Sequence, residues 1–337
     1  MQARGPAPRP PIGVAFDGDL GHRIDAVLAV AMLNGFAAKG EARRIALSIS
    51  RPNLKAAQVA DVLSRFYAGR PVSATAGGVG QASEGMIGMP EGPVAGDDPA
   101  TLTAILSKKA DDGTAVYSSS ITQLRDTAEN AVLVRNMLLA QNDANAIVVL
   151  AGPATGLARV LALYGSRPQI VAKAKLLVVA AGAFPSGSPE LSIKSDVAAA
   201  RKLFAEWPAP LVAVGSEVGA ALPYPGASIE TDFAWAPAHP VADAYRASKT
   251  MPYDAAASAL AATLHAVHPD DGYFKLSEPG TITVLDDGRT RFTPGERGGR
   301  HRYLIVDPAQ TDRIVQLYKD LVSAKPAARP GRRGGAE

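Results

Sequence analysis

The sequence predicts an α/β fold: a largely parallel sheet flanked by helices, Rossmann-like in its alternation, with a small C-terminal β-hairpin segment. Three observations carry this. Short apolar runs rich in β-branched residues alternate with helix-length segments along the chain. The runs Ala146–Leu150 (AIVVL) and Leu176–Ala180 (LLVVA) contain no polar residue, as strands buried on both faces require. Near the C-terminus, Asp287–Gly288 interrupts the alternating stretch TITVLDDGRTRFT, the pattern of a tight hairpin.

In chain order, Ile12–Phe16 is the first strand, followed by the polar loop DGDLGHRID and a helix running to about Gly35. Arg44–Ile49 is the second strand and Leu54–Tyr67 the next helix. Pro71–Thr75 reads as a third strand, and residues 77–98, rich in Gly and Pro, as a long surface loop. Helices are expected over Gln123–Gln141, Leu157–Tyr164, Asp196–Glu206 and Ala255–Ala266, and a further strand over Pro210–Val214. Residues 279–306 read as hairpins, and Ala309–Ser323 as a last helix. There is no internal repeat and no heptad array, so residues 11–324 are expected to form one domain between disordered tails at 1–10 and 325–337.

Composition narrows the function classes. The 337 residues are 47% hydrophobic and 20% charged, a globular balance. There is no cysteine, which excludes a disulfide, a thiolate nucleophile and a Cys-ligated metal. The net charge of +3 comes from the ends, which carry +2 (Arg4, Arg9) and +3 (Lys325, Arg329, Arg332 and Arg333 against Glu337), leaving the body at −2. A nucleic-acid-binding face is therefore not expected. The N-terminal MQARGPAPRPP has no apolar core of a signal peptide, and every apolar run is strand-sized, so a cytoplasmic protein without membrane association is expected. Trp207, Trp235 and Tyr245 read as packing residues.

Ligands of parallel α/β sheets gather at the carboxyl ends of the strands. The loop after the first strand holds Asp17, Asp19 and Asp25. Alternation puts Asp17 and Asp19 on one side of an extended segment, and Asp25 opens the next helix. Carboxylates that converge repel unless a cation lies among them, and calcium is the hard cation that takes such oxygens. The plainer reading makes Asp25 a helix cap and the other two turn residues. Asp254, in MPYDAAASAL, also reads as an N-cap for the helix from Ala255, and Glu190 as a solvated loop acid.

Five segments, in order, resemble the nucleoside hydrolase family (inosine–uridine-preferring nucleoside N-ribohydrolases). DGDLGHRIDAVLAV is similar to its DxDxG signature with the following Asp-Asp pair. SISRPNLKAAQVADVLSRFYAGRPV, AIVVLAGPATGLARVL, LLVVAAGAF with PELSIKSDVAAA, and MPYDAAA resemble its later segments, over residues 12–260. The C-terminal YFKLSEPGTITVLDDG resembles a bacterial branch. The resemblance implies calcium-dependent hydrolysis of the N-glycosidic bond of ribonucleosides to base plus ribose, in nucleoside salvage, by a homo-oligomer. It implies a metal held by Asp19, Asp25, the Ala151 carbonyl and Asp254. Asp19 and Asp25 would be catalytic, Asp19 as general base, and Asn53 (or Ser48), Glu190, Ser192 and Asp254 would touch the substrate.

The chain also departs from that pattern. The Asp pair reads Asp25-Ala26, Arg23 precedes it, Ser192 and Gly156 stand where Asn is expected, and Tyr253 replaces His or Trp. With Tyr253 there, a His general acid for the leaving base is absent at that position; His22 is close enough in sequence to the acids to substitute, while the plainer reading makes it a solvated loop His. These departures define a second reading, a member of the fold that binds calcium weakly or not at all and binds a nucleoside or other riboside without hydrolysing it. A nicotinamide-binding loop at Gly78-Val79-Gly80 is disfavoured, because the third glycine of the fingerprint is missing.

Overall fold

A computed structural model describes residues 10–68, 86–92, 99–295 and 299–326. The Pro71–Thr75 strand, the Gly78-Val79-Gly80 segment, and residues 1–9 and 327–337 of the expected tails lie outside the described residues. The strands are β1 (Ile12–Gly18), β2 (Ala42–Ile49), β3 (Ile87–Met89), β4 (Ala128–Glu129), β5 (Ala146–Ala151), β6 (Ala174–Val179), β7 (Leu211–Ala213), β8 (Phe274–Leu276), β9 (Gly280–Val284), β10 (Thr290–Pro294) and β11 (His301–Val306). They form one sheet in the order β10-β9-β11-β7-β6-β5-β1-β2-β3-β4, with β8 on β11. Every neighbouring pair from β11 to β4 is parallel.

The sheet divides the interior into two cores. Along β5, Ile147 and Val149 face one core and Val148 and Leu150 the other, which is why AIVVL has no polar position. Helix Ile24–Ala38 is apolar all round because it is covered all round, by the sheet, by Ser258–Val267 and by the C-terminal helix Thr311–Val322. Trp207 and Tyr245 are buried packing residues, as expected. Among the described residues no helix is long and apolar enough to cross a membrane.

Four expectations are corrected. Helix Gln123–Gln141 begins only at Asn130 and runs to Leu139. Before it, the Asp126 carboxylate accepts the N–H groups of Thr122 and Gln123, holding a 3-10 turn at Leu124–Asp126, and Glu129 caps the true helix start. Residues 77–98 are not loop throughout, since Ile87–Met89 supplies β3 between β2 and β4. The hairpin β9–β10 forms with Gly288 at φ +83° in its turn, but β11 joins β7 in parallel, so the C-terminal segment extends the main sheet. The helix expected from Ala255 starts at Ser258.

The topology sets where a ligand binds. From β1 the chain winds outward through β2, β3 and β4, then returns to the other side of β1 for β5, β6 and β7. Winding reverses between β1 and β5, and a crevice opens at their carboxyl ends. Gly152, just after β5, keeps that end tight, since a Cβ there would collide with the Ser50 hydroxyl and meet the Asp19 backbone nitrogen at 3.0 Å.

Candidate functional site

The three acids of the β1 loop have different surroundings. Asp17, at the end of β1, is 1% exposed. Ser48 Oγ donates to its Oδ2 at 3.1 Å, and its Oδ1 has no partner among the described residues. Burial pushes this carboxyl up to about 7, against the Ser48 bond and with help from the Asp19 charge. Asp17 lies beneath the crevice. Gly156 makes room for it: a Cβ there would strike Asn130 Nδ2 and stand 2.9 Å from Asp17 Oδ2.

Asp19 follows one alternation later. Its backbone N–H donates to the Ala151 carbonyl at 3.0 Å, which joins the β1 and β5 ends. Its side chain is claimed on both oxygens, Oδ1 by His22 Nδ1 at 2.9 Å and Oδ2 by Arg51 Nε at 2.5 Å. Burial alone would raise this carboxyl, but the bonds from His22 and Arg51 and the Arg51 charge outweigh it and hold it below its ordinary value. Arg51 Nη2 continues to Ser195 Oγ at 2.7 Å. The space beside Asp19, bordered by Arg51, His22 and Asn53, is about 10 Å³, room for one water. Asn53 itself caps helix Leu54–Tyr67, accepting the Ala56 N–H at 3.0 Å.

Asp25 is gripped by its neighbour. Arg23 Nε and Nη2 donate to Oδ1 and Oδ2 at 3.1 and 2.9 Å, a two-pronged ion pair. Arg23 Nη1 donates to the Ala180 carbonyl at 2.8 Å and to Ser192 Oγ at 3.1 Å, and lies 3.9 Å from Glu190 Oε1. Burial opposes the charge on Arg23, but Asp25, then Glu190 and Asp19, outweigh it and hold the guanidinium above its ordinary value. Asp25 does not cap its own helix. Its Oδ2 accepts the Ala259 N–H at 2.9 Å, at the start of Ser258–Val267.

Glu190 and Asp254 are caps too. Glu190 accepts the N–H groups of Ser192 and Ile193, opening the short helix Leu191–Ser195. Asp254 accepts the Gly226 N–H at 2.8 Å, so it caps Gly226–Thr231 and not the helix that follows it in sequence. Together Arg23, Asp25, Glu190, Lys249, Tyr253 and Asp254 border a cavity of about 490 Å³. Tyr253 is fixed by stacking on Tyr245, 4.4 Å between centroids, and by donating to the Tyr245 carbonyl.

The expected site residues are thus split between two spaces. Asp25, Glu190 and Asp254 line the large one, with Ser192 reached through Arg23; Asp19 and Asn53 line the small one, with Ala151 beneath. The expected metal set does not fit a divalent ion as it stands. Among the described residues no three His, Asp or Glu side chains gather as ligands would, and Asp19, Asp25 and Asp254 each hold a protein donor. Arg51 and Ser195 were not singled out in the sequence. The available signal was electrostatic: three acids on one loop need counter-charge, and Arg51 stands at the carboxyl end of the neighbouring strand β2.

No family model and no curated protein sequence matches the chain. Solved structures do match. A plant nucleoside hydrolase, PpNRh1, is 19% identical over 94% of this chain and 100% of its own, with a TM-score of 0.66. An inosine–uridine preferring nucleoside hydrolase from Bacillus anthracis is 15% identical over 93% and 99%, with a TM-score of 0.62. The type III effector protein XopQ, complexed with adenosine diphosphate ribose, is 14% identical over 94% of each, with a TM-score of 0.66. The chain has the nucleoside hydrolase fold over nearly its whole length, and at these identities the likeness is one of fold.

Proposed function

We propose that the protein binds a riboside, a nucleoside or larger ribosylated molecule, in the cavity bordered by Arg23, Asp25, Glu190 and Asp254, without calcium and without cleaving the glycosidic bond. The observation that carries this is Asp19. A general base needs a proton affinity suited to accepting the proton of a water. Asp19 holds His22 on one oxygen and Arg51 on the other, and those contacts lower its proton affinity. The space beside it is about 10 Å³, room for one water.

The large cavity supports the ligand class. Ribose hydroxyls are donors, and the carboxylates of Glu190 and Asp254 are acceptors at its edge. About 490 Å³ is within the range of small-molecule sites. The matching structures point the same way by name: several are nucleoside hydrolases, and one holds adenosine diphosphate ribose.

The test is a calorimetric panel of ribose, adenosine, inosine, uridine and ADP-ribose on the protein in millimolar calcium and in chelator, with chromatography for released base in both. Binding that survives the chelator, with no base released in either condition, is expected, and Asp254→Ala should weaken it at least tenfold. Release of base at an enzymatic rate in calcium, or binding that vanishes with the chelator, would return the protein to calcium-dependent hydrolysis.

A further inference from the structure

Arg23 differs from the other cations of the site by its depth and by how fully it is used. Its side chain is 14% exposed, against 28% for Arg51. Its backbone N–H donates to the Asp19 carbonyl at 3.0 Å, so the residue is hung directly on the acidic loop. Of the five guanidinium N–H donors, four have acceptors: two on Asp25, one on the Ala180 carbonyl and one on Ser192. Three carboxylates act on it, from Asp25, Glu190 and Asp19. These acceptors, carboxylate oxygens, a backbone carbonyl and a hydroxyl, are the hard oxygen atoms that a divalent ion such as calcium takes.

We infer that the Arg23 guanidinium is the resident cation of this cavity, seated among the oxygens of Asp25, Glu190, Ser192 and Ala180, and that its side chain excludes a divalent ion from them. The inference rests on the reading of the cavity as a calcium-free site. Its physical basis is simple. A divalent ion entering these oxygens would stand within a few ångströms of a fixed positive charge and would have to strip Asp25 of a two-pronged partner. A planar fork fills the seat more fully than an ammonium would, because two N–H groups match the two oxygens of Asp25 while a third nitrogen reaches Ala180 and Ser192, although any fixed positive charge there repels a second cation. Removing the side chain leaves buried acids without a counter-charge, which is the condition that recruits a metal.

The experiment is thermal unfolding and calcium calorimetry on the full chain, wild type beside Arg23→Ala, Arg23→Gln and Arg23→Lys. Wild type should give no calcium heat and the same midpoint in millimolar calcium or chelator. Arg23→Ala and Arg23→Gln should melt lower, and calcium should raise their midpoints, with a dissociation constant on the order of 10⁻⁴–10⁻³ M, the range of modest oxygen-ligand sites. Millimolar methylguanidinium should raise the midpoint of Arg23→Ala in place of calcium. Arg23→Lys, which keeps a charge, should respond to neither. Calcium binding by wild type as tight as by Arg23→Gln overturns the inference, as does a folded Arg23→Gln, judged by circular dichroism, that ignores calcium. If Arg23→Ala does not fold, Arg23→Gln and the wild-type titration decide alone. No riboside enters these measurements, so failure of the ligand panel and failure of this inference are read separately.

Discussion

Asp19 and Asp25 leave the same loop and each meets an arginine, yet the two pairs are built differently. Arg51 reaches Asp19 from β2 with one nitrogen and lies partly in solvent. Arg23 takes Asp25 from the adjacent turn with two nitrogens, inside the cavity wall. The difference teaches that charge balance alone does not set the value of a pair. Both acids are buried, so the difference lies in the arginine and in what else the acid holds: Arg51 reaches solvent and Asp19 keeps His22 on its other oxygen, whereas Arg23 lies inside the wall and takes both oxygens of Asp25.

That contrast yields ordered predictions. The largest effect is expected at Arg23: Arg23→Ala should lose about 3–5 kcal/mol in denaturant unfolding, the cost of leaving a buried partner uncompensated. An effect no larger than that of Arg51→Ala would make the two pairs equivalent and dissolve the comparison.

Next comes the acid that has no cation. The Asp17 carboxyl, raised to about 7, keeps its proton in the folded state where the unfolded chain has already released it, above the ordinary value of 3.8. The native state then binds more protons than the unfolded state, so stability should fall as pH rises from about 4 to about 7. The fall is bounded by about 4 kcal/mol, three units at 1.36 kcal/mol each. Asp17→Asn should flatten that window in pH-dependent unfolding. An unchanged slope would show that the carboxyl is already ionised.

Arg51→Ala should cost about 1.5–3 kcal/mol at neutral pH, less than Arg23→Ala, because Asp19 is buried but keeps His22 on its other oxygen. It should also change the acid limb. The lowered Asp19 carboxyl contributes stability that is present above its unfolded value of 3.8 and lost as pH falls through the lower folded value. Without Arg51 that loss should be smaller. The smallest expected effect is Asn53→Ala, about 1 kcal/mol for a lost N-cap, measured in the same unfolding assay.

Much of the fold was legible because burial writes itself into composition. β5 and β6 were readable from unbroken apolar runs, and the β9–β10 turn from Asp287–Gly288, whose glycine takes φ +83°. The places that misled were those where a polar side chain acts at a distance. Asp126 holds a turn against a helical pattern. Asp254 caps Gly226–Thr231, and Asp25 caps a helix 234 residues further on. A cap residue in sequence announces that some helix start needs an acceptor, without saying which.

The sequence by itself determined the α/β alternation, the strands buried on both faces and the crowding of acids on the β1 loop, because these follow from hydrophobic period and local spacing. Only the tertiary structure decided what neutralises those acids. Whether Asp19 faces a metal, a substrate or Arg51 depends on where the end of β2 falls beside β1, and whether Arg23 repels a cation or replaces one depends on Ala180, Glu190 and Ser192 arriving from beyond β6. Coulomb interactions and hydrogen bonds act over a few ångströms in space, and residues far apart in the chain set those distances.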